Sequence, residues 1–73
     1  MMYNCKTIGD GVYEFNVYGR LYEVLASYTI TDHSTEQGTM YLVQRADDTT
    51  KSVWTEDFIQ AQDICKADYN ARR

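Results

Sequence analysis

From Val12 the chain alternates: Tyr13, Phe15 and Val17 fall on one side of an extended segment, with Glu14 and Asn16 between them. A period of two with polar interruptions predicts a strand with one wet face over 12–18. Gly19-Arg20 predicts a tight connection to a second strand over 21–30. There Tyr22, Val24, Ala26, Tyr28 and Ile30 fall on one face, and Glu23, Ser27 and Thr29 on the other, interrupted by Leu25. Residues 31–38 contain no apolar side chain and predict an exposed loop. The segment 39–45 is apolar on both sides at its centre, as suits a central strand or one covered by a helix. A polar turn leads from it into a short strand over 51–54. Ahead of these, the first eight residues predict a ragged start or a short edge strand, and Gly9-Asp10-Gly11 a turn.

At Thr55 the period changes. Phe58, Ala61, Cys65 and Tyr69 recur at spacings of three and four, flanked by Ile59 and Ile64, and neither proline nor glycine interrupts the segment. That stripe predicts a helix over 55–70, capped by Thr55 and favoured at its positive end by Glu56 and Asp57. Its apolar side should lie on the sheet, with Tyr22 continuing the inward face of Val24 and Trp54 closing the core against Phe58.

Strands joined without intervening helices are antiparallel neighbours, so the fold class is α+β in one domain spanning 1–73. The stretch Gly19-Arg20-Leu21-Tyr22-Glu23-Val24-Leu25, with Met40-Tyr41-Leu42-Val43, Ser52-Val53-Trp54 and the following Glu56-Asp57-Phe58-Ile59, resembles small SH3-like barrels of the Tudor, chromo-like and KOW groups. The helix exceeds the short turn usual in those barrels. Two architectures therefore stay open: a partly open SH3-like barrel plugged by the helix, or a small, twisted antiparallel sheet with the helix packed on it. In size and acidity the chain also looks like the accessory proteins of bacteriophages and mobile elements.

Composition narrows the function classes. With 44% hydrophobic and 14% aromatic residues, the chain carries more apolar area than a disordered segment leaves in water. A net charge of -4 disfavours, without excluding, a nucleic-acid partner. No apolar run is long enough to span a bilayer, and Met1 to Lys6 turns polar too early for a signal peptide. Two cysteines, Cys5 and Cys65, suit a reduced cytoplasmic protein; a single bridge between first strand and helix is the alternative, if their Cα atoms come within roughly 7 Å.

Candidate chemistry is sparse. His33 with Asp32 and Glu36 could offer metal ligands, but paired cysteines or further histidines are missing, and an exposed loop histidine is the plainer reading. Cys65 or Cys5 with His33 is the least poor nucleophile–base pair, yet Cys65 sits on the helix's apolar stripe and reads as a packing residue. Gly9-Asp10-Gly11 lacks the lysine of a phosphate loop. Tyr22, Tyr41 and Trp54 are the trial set for an aromatic cage, against the reading that they fill the core. No catalytic residue, metal site or cofactor is expected. The leading expectation is a non-enzymatic protein-interaction module acting on a larger intracellular protein. Its surface would be built from Tyr18, Leu25 and Leu42, whose facing alternation leaves ambiguous, with Glu23 and Glu36 at the rim. A nucleic-acid-associated or nucleic-acid-mimicking protein and a self-associating structural subunit are the other two classes.

Overall fold

The computed structural model describes residues 2–72. Five strands, β1 (Met2–Gly9), β2 (Val12–Tyr18), β3 (Val24–Asp32), β4 (Tyr41–Arg45) and β5 (Ser52–Thr55), precede one helix, α1 (Phe58–Arg72). Each strand pairs antiparallel with the next, in the order β1-β2-β3-β4-β5. The sheet is open, with β1 and β5 at its edges and α1 packed on one face. Of the two architectures left open by the strand pattern, the chain takes the sheet with a packed helix.

Register explains the core. Phe15 stands opposite Tyr28, Val17 opposite Ala26, and Ile30 opposite Val43, so these side chains share the face beneath α1. Ala61 and Cys65 descend from the helix into that layer, and all eight residues are buried. Phe58 seats the start of α1 by packing edge-on against Tyr13 and Tyr41, with ring centroids 4.7 and 5.4 Å away. Such contacts add about 0.5–1.5 kcal/mol each beyond the area they bury.

Several expectations shift. The first segment is a full eight-residue strand, because Tyr3, Cys5 and Thr7 pair with Val17, Phe15 and Tyr13 and extend the helix-side face. β3 begins at Val24 rather than residue 21: Tyr22 has φ 61°, a left-handed conformation that no strand accommodates. The helix starts three residues later than expected. Thr55 ends β5, its hydroxyl donating to Oε1 of Gln60, and the cap is Asp57, whose Oδ1 accepts from the Ile59 amide at 2.9 Å. Trp54 does not close the core. It lies on the face opposite α1, 54% exposed, with the His33 ring 5.2 Å away.

That opposite face carries polar rows across the sheet. Lys6, Glu14, Thr29, Gln44 and Ser52 align through the four registers, as do Asn4, Asn16 and Ser27 through the first two. Asn16 is buried among them, and its Nδ2 donates to Oε1 of Glu14 at 2.8 Å. Lys6 Nζ stands 3.5 Å from the same oxygen. The Asn16 bond, then Lys6, holds the Glu14 carboxyl below its usual range, despite an opposing desolvation effect.

Candidate protein-interaction surface

β4 stops at Arg45, opposite Tyr28, so the β2–β3 hairpin runs past it. Beyond Ser27, whose carbonyl accepts from the Ala46 amide, β3 has a strand on one side only. The molecule is correspondingly long, 42 × 23 × 20 Å.

The projecting end is braced. The Gly19 amide donates to the Glu23 carbonyl at 2.9 Å, and the Tyr22 amide to the Gly19 carbonyl at 3.1 Å. The Glu23 side chain folds back so that its Oε1 accepts from the Leu21 amide at 3.1 Å. A Cβ on Gly19 would meet that carboxylate, so a larger residue there would displace the Glu23 side chain from the Leu21 amide. Fixed by these bonds, the loop presents Leu21 at 84%, Tyr22 at 74% and, at the start of β3, Val24 at 58% exposure. Leu25 extends the apolar surface and lines, with Arg20, Leu21 and Glu23, a shallow cleft of about 620 Å³. Side chains of this size are usually buried, and several gathered on one tip mark an interaction surface more often than solitary exposed residues do.

The five residues expected at the interface divide. Tyr18, half-buried at the end of β2 and paired with Val24, joins Glu23 and Leu25 at this tip. Leu42 lies elsewhere on the sheet, half-buried between Thr31 and Trp54, and Glu36 is exposed in the β3–β4 loop at the other end of β3. They do not form one surface with the tip. The most exposed members, Leu21 and Tyr22, fall at the start of the strand that the sequence predicts over 21–30. The only signal there is the glycine at 19, which permits a wider loop as readily as a tight one.

The remaining candidates are dispersed. Tyr22 is at the tip, Tyr41 packs under α1 and Trp54 faces away from it, so the three aromatics do not converge on a cage. Among the described residues no three His, Cys, Asp or Glu side chains gather as metal ligands. Cys65 is buried on the sheet-facing side of α1, with burial and the neighbouring Cys5 pushing its thiol up to about 12, whereas His33 stands exposed against Trp54. Both cysteines are free thiols. A second hollow, of about 410 Å³, opens between α1 and the β4–β5 end, floored by Val43, Val53 and Ile64. Its polar lining is largely satisfied internally: Tyr28 bonds to Asp68, and Arg45 to Asp47 at 3.1 Å. Among the described residues no helix is long and apolar enough to cross a membrane. Compared with known proteins, the chain matches no family model, no curated protein and no solved structure.

Proposed function

We propose that this chain is a non-enzymatic interaction module that grips a larger protein in the cytoplasm with its β2–β3 tip, in the manner of a small accessory or inhibitory factor. The observation that carries this reading is the braced display of Leu21 and Tyr22 beyond the end of β4. A large, stiff ring carried on a backbone fixed before binding loses little entropy on contact, which is what makes tyrosine an effective anchor. Arg20 and Glu23 flank the apolar residues with opposite charges, a polar rim that fixes orientation.

Charge distribution favours a protein over a nucleic acid. Lys6 is committed to Glu14, and Arg45 and Arg72 both to Asp47, so half of the six described cations already face carboxylates. The test places a photo-crosslinking residue at exposed position 20, beside the two anchors, and compares capture from cell extract by the otherwise unchanged chain, by one that also carries Leu21→Ser/Tyr22→Ser, and by a control that also carries Ile59→Ser, altered at an exposed helix position. A discrete adduct that the tip variant loses and the control keeps supports the reading. Equal capture by all three would remove it.

A further inference from the structure

The sheet ends on two unequal edges: β5 presents four residues and β1 eight. β1 is paired with β2 alone, so one side of its backbone carries amide and carbonyl groups with no strand beside them. Protective devices are scarce along it. The chain contains no proline, and the register shift is confined to Thr7–Gly9, leaving Met2 to Thr7 regularly paired. The strand's one charged side chain, Lys6, is paired with Glu14 inside the molecule. Met2, Tyr3 and Ile8 add exposed apolar area. α1 lies over β2 to β5, and reaches toward β1 with the Lys66 ammonium, 5.2 Å from the Tyr3 ring.

We propose that β1 pairs antiparallel with β1 of a second copy, joining two five-stranded sheets into one continuous sheet about a two-fold axis. The fit is to itself. A two-fold axis normal to the sheet makes two identical edge strands antiparallel, the geometry in which every outward amide finds a carbonyl. Antiparallel pairing lays the Met2 end of each strand beside the Ile8 end of the other, so exposed apolar side chains meet at both ends. With Lys6 already balanced by Glu14, the two strands bring no uncompensated like charges together. This contact is separate from the β2–β3 tip and does not depend on it.

The experiment combines sedimentation equilibrium over rising concentration with residue-resolved amide exchange. The expected result is a monomer–dimer equilibrium in which all β1 amides become protected as the dimer fills. In the monomer, amides that point away from β2 have no strand beside them and should exchange faster than those that face it. An Asn4→Lys/Ile8→Lys chain, altered at two exposed positions, should fold normally and weaken dimerisation by about tenfold or more, since lysines crowd one face of the pairing. A strictly monomeric protein at millimolar concentration overturns the proposal. So does a dimer whose β1 amides keep the alternating pattern, or a dissociation constant unmoved by the two lysines.

Discussion

The Tyr28 hydroxyl donates a 2.6 Å hydrogen bond to Oδ2 of Asp68, joining the middle of β3 to the last turns of α1 across forty positions of sequence. The Tyr28 ring is fully buried, and the Arg72 guanidinium stands 6.0 Å from its centroid and 3.7 Å from Asp68. A buried ring thus ends in a polar group whose partner is itself balanced by a cation. Such a bond fixes where along the sheet the helix lies, which burial alone does not specify.

Tyr28→Phe keeps the ring and removes the bond. The expected cost is about 1–2 kcal/mol, because the hydrogen bond has a charged acceptor while Asp68 retains Arg72 and access to water. Asp68→Ala should cost at least as much, since it strands a buried hydroxyl. Urea denaturation checks both, with the midpoint lowered and the slope unchanged. An unaltered midpoint in Tyr28→Phe would mean that the bond adds nothing to docking.

The same contact sets an alkaline limit. Burial first, and then Asp68, raise the Tyr28 pKa above its ordinary value, while burial lifts Cys65 from 9.0 to about 12. Both groups hold their protons more tightly folded than unfolded. Their contribution is complete below the unfolded values and falls as pH rises through the window from about 9 upward, where the unfolded chain has released protons that the folded one retains. The thermal midpoint should therefore decline from about pH 9 toward pH 12. Cys65→Ala should flatten the first part of that decline, whatever it does to the midpoint at neutral pH. A decline identical in the variant would assign it to other groups.

Alternation identified the inward faces of β2 and β3 but could not place one strand against the other. A tight turn at Gly19-Arg20 would set Phe15 opposite Val24; the observed partner is Tyr28, four residues on. A shift of four preserves the period of two, so both registers put the same faces inward. Packing decides between them, because the observed pairing sets small Ala26 beside Val17 and brings Tyr28 within reach of Asp68. The shift releases Tyr22 and Val24 into the exposed tip, although their alternation is that of the inward face. The facing of Trp54 is not legible for a related reason: β5 is four residues long, too short for its own pattern to show which side faces α1. The helix stripe through Ala61 and Cys65 was legible, since a period near 3.6 admits one buried side.

Tyr22 offers a way to separate tip function from stability. Its φ of 61° is costly for a residue with a Cβ and free for glycine. Tyr22→Gly should hold stability within about 1 kcal/mol of the parent, because relief of the left-handed strain offsets the greater freedom of the unfolded chain. Capture of the partner should nevertheless be lost, since the ring is gone. A variant that binds as well as the parent would show that the backbone of the loop, and not the Tyr22 side chain, makes the contact.

Trp54 reports on the face away from α1. It is the only tryptophan, and the His33 ring meets it edge-on at 5.2 Å with an interplanar angle of 67°. An imidazole packed edge-on against an indole quenches part of its emission and shields that edge from water, so His33→Ala should raise and shift the fluorescence of Trp54. The variant should leave the circular dichroism unchanged, because both rings stand outside the core. Binding that covers this face would shift the emission to the blue, whereas binding confined to the β2–β3 tip would leave it where it is. An emission spectrum unmoved by His33→Ala would mean that the two rings are not in contact in solution, and that β5 and the end of β3 meet differently.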